Sequence, residues 1–377
     1  MKGRLPRTLM TTGGMGIGGA ETHIFELSKE LASRGMEVTV ASGGGVYADE
    51  LKEYGVKHVE IPFDSRSPAD ILSSYRKTDN LLSGDSFDLV HAHARIPAMI
   101  CSRAARKHRL PFLTTAHLDF KVDPITRRLS RWGDETVAVS DDIKDYLVRE
   151  YRLSPESITV TVNGVDLERY SSSLPADPSE LIPPPPKGRR ILSVSRLDRD
   201  RSHTAFLLTA IAPDIYPLYP DSDILIVGGG DDMVRIRTGA KAANELIGRE
   251  YVKLLGPRTD IDRIISTADI FVGVSRAALE AMAAGKATVL SGDQGYMGVY
   301  TTDKLLAAME NNFCCRGREI ASPNELKNEL LRLLAMSDDE LKKLGDMAKE
   351  TVEKHYSVKK MADDYLSVYS HLLGQHL

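Results

Sequence analysis

Glu280 follows an apolar run at 270–272 and a loop of small residues, within the stretch 268–285. A carboxylate there can accept two hydroxyl hydrogen bonds from a ribose, and a helix N-terminus beside it offers free N–H groups to a phosphate. Ser275 and Arg276 lie in the same loop. Arg196 and Arg201 stand five residues apart, just past the apolar run 191–195. Two guanidinium groups so placed can grip a diphosphate from two sides, because arginine stays charged and forks onto oxygen pairs; the plainer alternative is a solvated charged loop. Gly228-Gly229-Gly230 follows the run 224–227 and fits close approach of a nucleotide.

The amino-terminal half carries a different set. Its first apolar run leads into Gly13-Gly14-Met15-Gly16-Ile17-Gly18-Gly19-Ala20-Glu21, where backbone N–H groups can meet a phosphate at a helix start. Gly14, Gly16 and Gly19 satisfy G-x-G-x-x-G, yet the second strand ends in Ser42-Gly43-Gly44-Gly45 without the acidic residue a nicotinamide site places there. His91 and His93 close the fourth strand and His117 the fifth, at carboxyl ends that face a ligand crevice. A metal reading needs further ligands that the sequence does not supply near them. Proton sharing or positioning suits His117 better, and packing remains an alternative for all three. From Arg95 to Arg131 nine basic residues stand against Asp119 and Asp123, with Trp132 at the end. Such an excess can meet an anionic acceptor or acidic lipid headgroups, or form an ordinary solvated face.

These residues need strand ends to hold them. Strands are expected at 8–12, 37–41, 58–61, 89–91, 112–115 and 136–139, alternating with helices at 21–33, 68–82, 97–108 and 141–150. That order means a parallel sheet covered on both faces. The segment 171–187 contains three consecutive serines and Pro183-Pro184-Pro185-Pro186, which reads as a stiff linker. The pattern then restarts, with strands at 191–195, 224–227, 251–254, 270–272 and 288–290, and only helix beyond 324. Apolar residues keep helical spacing through 358–373.

Composition narrows the class. A chain of 377 residues with 42% hydrophobic and 27% charged residues is an ordinary globular protein of two or three domains. A net charge of −4 gives no pull toward nucleic acid. Three cysteines form no disulfide framework and fit a reducing cytoplasm, with Cys314-Cys315 as packing. The N-terminus lacks the apolar stretch of a signal peptide, and no run of about 18 apolar residues spans a membrane.

Taken together, the motifs resemble the two-domain retaining glycosyltransferases of family 4 (glycosyl transferases group 1), over nearly the whole chain. Gly18-Gly19-Ala20-Glu21 stands for the family's glycine-rich loop. His117 matches the histidine after the fifth strand, and Val139-Ser140 and Val162-Asn163-Gly164-Val165-Asp166 match its "V-S" and "N-G-V-D". Ser195-Arg196-Leu197 stands for "G-R-L", Arg201 for the lysine five residues on, and Glu280-Ala281-Met282-Ala283 for "E-A-M-A". The first glutamate of the family's E-x7-E falls on Val272, which cannot hydrogen-bond a sugar hydroxyl; Ser275 and Arg276 can substitute.

The resemblance implies an α/β protein of the GT-B fold: two doubly wound Rossmann-like parallel-sheet domains facing across a cleft. The domains are expected at 1–170 and 188–355, joined by the linker 171–187, with a helix at 356–377 crossing back to the first. It implies transfer of a sugar from a nucleoside-diphosphate sugar, such as a UDP-sugar, to an acceptor hydroxyl, with retention and without a metal or other cofactor. His117, Arg196 and Arg201 are then catalytic. Glu280, Ser275, Arg276, Gly18, Gly19 and Gly229 bind the donor, and Glu21, His91 and His93 lie on the acceptor side. The acceptor is a glycan or lipid-linked intermediate of bacterial polysaccharide or envelope synthesis, reached from the cytoplasm with peripheral contact at the inner membrane face through 95–131. The alternative, motivated by Val272, is a nucleotide-sugar-binding non-catalytic protein or an epimerase-like one.

Overall fold

The computed structural model describes residues 5–65, 67–170, 185 and 187–374. The chain divides into two compact units, Met1–Gly164 with Val358–Leu377, and Val165–Ser357.

In the first unit, apolar runs bounded by glycine and proline form seven strands: β1 (Arg7–Thr11), β2 (Glu37–Ser42), β3 (Lys57–Glu60), β4 (Leu89–Ala92), β5 (Phe112–Ala116), β6 (Glu135–Ala138) and β7 (Ile158–Val160). They pair in the order β3-β2-β1-β4-β5-β6-β7, all parallel. Every residue of β4 and β5 is buried, as expected of central strands covered on both faces. Successive side chains point to opposite faces, so Leu9 joins a core with Val90, Ile100 and Cys101, while Met10 joins one with Ile24, Leu27 and Leu31. The second core is closed by the helix Val358–Leu373. Its Val358, Met361, Ala362, Tyr365, Val368 and Tyr369 are all buried there, one stripe at helical spacing.

In the second unit, β8 (Arg190–Val194), β9 (Asp223–Val227), β10 (Val252–Gly256), β11 (Ile270–Gly273), β12 (Ala287–Gly292) and β13 (Gly295–Val299) pair in the order β10-β9-β8-β11-β12-β13. The sequence suggested a purely parallel sheet. Instead β12 turns directly into β13, which returns antiparallel at the edge. Strands β7 and β13 were both missed. β7 is three residues long, and β13 contains Gly295 and Gly298, which hide a strand pattern.

The unit boundaries differ from those expected at 170 and 356. Residues 165–170 belong to the second unit, where the Val165 N–H donates to the Tyr356 carbonyl at 2.7 Å and Arg169 pairs with Asp262 at 3.1 Å. Of the expected linker 171–187, only Pro185 and Lys187 are among the described residues. Among the described residues, no helix is long and apolar enough to cross a membrane.

Each sheet reverses its strand order once, between β1 and β4 and between β8 and β11. Crevices at the carboxyl ends of such neighbours are where ligands bind in open α/β sheets.

Candidate functional site

At the first reversal, a cavity of about 210 Å³ is lined by the segments that follow β1, β4 and β5. Gly14, Glu21, His93 and His117 are brought together in its wall, with Arg95, Phe120, Arg131 and Trp132. His91 is not part of it. It lies on the same strand face as His93, its ring 4.0 Å from that of His93, but deeper and fully buried, with Nδ1 at 2.9 Å from the Tyr369 hydroxyl and Nε2 at 2.7 Å from Thr115 Oγ1. Both nitrogens of His91, expected on the acceptor side, are committed to hydrogen bonds in the core.

Beneath the cavity runs a chain of neutral polar groups. The Asn163 side-chain oxygen lies 2.8 Å from His23 Nδ1, and His23 Nε2 lies 3.0 Å from the Tyr365 hydroxyl. Tyr365 is 3.0 Å from Thr115, which connects to His91 and so to Tyr369. One direction satisfies every member: Tyr369 donates to His91, His91 to Thr115, Thr115 to Tyr365, Tyr365 to His23, and His23 to Asn163. No charge is required. Burial pushes His91 and His93 well below the ordinary histidine value, and the neighbouring imidazoles add to this. Burial likewise pushes the Tyr365 and Tyr369 hydroxyls above the usual tyrosine range.

His93 Nδ1 lies 3.2 Å from His117 Nε2, while His93 Nε2 is buried without a hydrogen-bond partner. His23, His93 and His117 each offer a nitrogen within 4.8 Å of the others, a set able to hold a transition metal if His23 releases one of its partners. The sequence reading missed His23 because it sits on the buried face of the helix Gly19–Ser33, amid apolar residues.

Gly18 and Gly19 do not line the cavity. Gly18 precedes that helix and Gly19 begins it. The Glu21 carboxylate folds over Gly18, where a Cβ would collide with it. An acidic side chain thus occupies the electropositive helix end that the sequence suggested for a phosphate.

At the second reversal, the loop after β8 carries Arg196 and Arg201, and the helix Ser275–Ala283 after β11 carries Arg276 and Glu280. Two glycines lock the first loop in place. A Cβ on Gly228 would strike the Ser195 carbonyl, and one on Gly230 would strike the Leu197 backbone; Gly228 also has φ 141°. Leu197 is buried, and its N–H donates to the Gly229 carbonyl at 2.9 Å. Arg196 and Arg201 are thereby held beside the strand end, with side chains 50% and 39% exposed and only loose 3.8 Å contacts to Asp198 and Asp200. Gly229 has merely ordinary contact with Pro257. The triplet therefore owes its first and third glycines to backbone packing.

Glu280 is buried against Arg276, whose Nε donates to Oε1 at 3.0 Å. Burial pushes its carboxyl above the usual carboxylate range despite Arg276, Arg169 and the Tyr170 hydroxyl, which oppose the shift. Arg169 and Tyr170, assigned from sequence to the other domain, carried no signal for this role. Arg276 Nη1 is buried without a partner. Ser275 has a left-handed backbone, φ 56°, and donates its N–H to the Phe313 carbonyl at 2.8 Å. Asn312, Phe313 and Cys315 have left-handed backbones too. Four such non-glycine residues around one helix start mark a strained segment of the kind that clusters at ligand sites. Val272 is wholly buried in β11 and cannot reach a ligand. Burial pushes the Cys101 and Cys315 thiols up to about 12, consistent with packing roles.

Family comparison assigns residues 17–169 to Glycosyltransferase Family 4 and residues 188–336 to Glycosyl transferases group 1. This chain belongs to the family 4 glycosyltransferases. The glycosyltransferase is 26% identical over 353 residues to phosphatidyl-myo-inositol mannosyltransferase of Mycobacterium tuberculosis, covering 81% of this chain and 88% of that protein. Its GT-B fold matches that of a Rickettsia africae glycosyltransferase (TM-score 0.76, 21% identity, 98% and 99% of the two chains). Anabaena HepE, solved in complex with UDP and glucose, aligns at TM-score 0.76 with 16% identity over 97% and 100% of the two chains.

Proposed function

We propose that this glycosyltransferase moves a sugar from a nucleoside-diphosphate sugar to an acceptor hydroxyl, with retention at the sugar carbon and without a metal. The observation that carries the reading is the pair of open guanidinium groups, Arg196 and Arg201, at the end of β8 beside the β11 helix with Glu280. Arg196 and Arg201 neutralise the charge that grows on the departing diphosphate, the largest kind of contribution such a site can make. The acceptor hydroxyl attacks the face from which the diphosphate leaves, and a diphosphate oxygen takes its proton. Glu280 receives the ribose hydroxyls, with Arg276 holding the carboxylate in place; the Ser275 hydroxyl and the N–H groups that follow it in the helix meet the donor. His117 and His93, kept beside the first unit's cavity, hydrogen-bond the transferred sugar or the acceptor.

The relatives support a lipid-linked or glycan acceptor in envelope synthesis; we place its encounter at the inner membrane face on the composition of one surface segment. The helix Pro124–Leu129 exposes Ile125 and Leu129 near exposed Phe120, Lys121, Arg127 and Arg128, the composition of an interfacial anchor. Anionic vesicles are expected to carry the protein upward in a flotation gradient; K121E/R127E/R128E is expected to stay at the bottom.

UDP at about 100 times its Kd is expected to stabilise the chain by about 2.7 kcal/mol in thermal unfolding. Arg196→Ala should lose that shift and cost about 10²–10³ in turnover while folding normally. An undiminished shift would remove Arg196 from the site. Val272, buried where a donor-facing carboxylate was sought, favours a second reading, a binder without turnover. Binding of UDP-sugars without transfer to any acceptor would select it.

A further inference from the structure

The cavity of the first unit has a composition that goes beyond an unspecific acceptor site. Its wall sets two arginines, Arg95 and Arg131, beside the rings of Phe120 and Trp132. Among the described residues, neither arginine has a carboxylate within ion-pair distance. The Arg95 guanidinium instead stacks on Phe120, 4.3 Å from the ring centroid, and Arg131 donates to the Arg128 and Ser130 carbonyls, which leaves further N–H groups. Of the two histidines in the same wall, His93 adds no charge, because burial holds it neutral. Glu21 is the one carboxylate in the lining, and it is folded over Gly18.

Two ring nitrogens of this wall are also without partners. Trp132 Nε1 and His93 Nε2 are both buried and make no hydrogen bond, although His93 is only 4% exposed. A buried N–H with no acceptor costs free energy until something supplies one. Arginines and aromatic faces in one small space describe a ligand with acceptor oxygens, negative charge and a flat or apolar body. The volume, below the roughly 300–1,000 Å³ of drug-sized pockets, limits the buried part to about one ring.

We infer that the acceptor of this glycosyltransferase carries an anionic group, phosphate or carboxylate, on a ring-sized body, with Arg95 and Arg131 on the anion and Trp132 and Phe120 against the body. The inference rests on the proposed transferase reading, since it names the acceptor class for that site. Neutral sugars of the same size lack the charge that these arginines offer, and are expected to be discriminated against.

Trp132 is the only tryptophan of the chain, so its fluorescence reports on this cavity without any reaction. The full chain is titrated with phenyl phosphate, benzoate and neutral benzyl alcohol, with calorimetry in parallel. Saturable binding of phenyl phosphate or benzoate, at least tenfold tighter than benzyl alcohol, is expected; the stronger of the two anions identifies the group. R95Q/R131Q should lose at least tenfold for the anion and leave benzyl alcohol unchanged. Equal binding of the neutral probe, no anion binding by either method, or anion binding indifferent to R95Q/R131Q would each overturn the inference. UDP-induced stabilisation of the second unit is recorded on the same samples. Its loss with intact anion binding would count against the transferase reading, and its persistence without anion binding would count against the acceptor class alone.

Discussion

The two strand-order reversals use the same topology for opposite electrostatics. At β1/β4 the sheet end is backed by a hydrogen-bonded chain that needs no charge, Asn163, His23, Tyr365, Thr115, His91 and Tyr369, with His93 held neutral by burial beside it. At β8/β11 it is backed by ions, with Arg276 against buried Glu280 and Arg196 and Arg201 open to solvent. The fold supplies pairs of adjacent strand ends. The first few residues past each strand set what the site presents: buried imidazoles with Arg95 beyond them at the first, a buried ion pair and two open guanidinium groups at the second.

The largest test breaks the ionic side. Arg276→Ala leaves Glu280 buried without its closest cation, and is expected to destabilise the second unit by about 3–5 kcal/mol. Glu280→Gln added to it should recover part of that loss, because the stranded charge is gone. Urea unfolding of the single and double variants measures the difference. If the single variant unfolds at the wild-type midpoint, the pair contributes no more than a surface contact.

Acid tests the neutral side. His91 and His93 titrate well below the ordinary value when folded, whereas in the unfolded chain they titrate near about 6.5. Below that pH the unfolded chain binds protons that the folded chain refuses. Stability is therefore complete above about pH 6.5 and falls as the pH drops, by about 1.4 kcal/mol per pH unit per histidine, about 2.7 for the two. Glu280 acts in the opposite sense. Its raised carboxyl value means that the folded state holds a proton more firmly, so its contribution weakens as the pH rises from the ordinary carboxylate range. His91→Gln is expected to halve the acid slope measured by urea midpoints between pH 7.5 and 5.5; an unchanged slope would assign the acid response to other groups.

Sequence spacing revealed all strands but β7 and β13, and the identity of the strand ends, because buried parallel strands read as apolar runs and their following glycines stand out. It placed Arg196, Arg201, His93, His117 and Glu280 past the right strands. It did not reveal what joins them. Tyr365 and His23 are distant in the chain, and their hydrogen bond depends on a helix returning to the first unit. Arg276 and Glu280 stand at i,i+4, so their pairing could have been read from spacing alone. The stretch 228–230 shows the converse, since Gly228 and Gly230 also serve a contact between two loops that spacing did not reveal.

The returning helix Val358–Leu373 has a consequence for biosynthesis. The first unit needs Tyr365 and Tyr369 to complete both its apolar packing and its hydrogen-bonded chain. A ribosome adding about 5–20 residues per second takes on the order of 10–40 s to make the intervening 165–357. The half of the enzyme synthesised first is thus the last to be finished, and part of its core stays open to solvent during that interval.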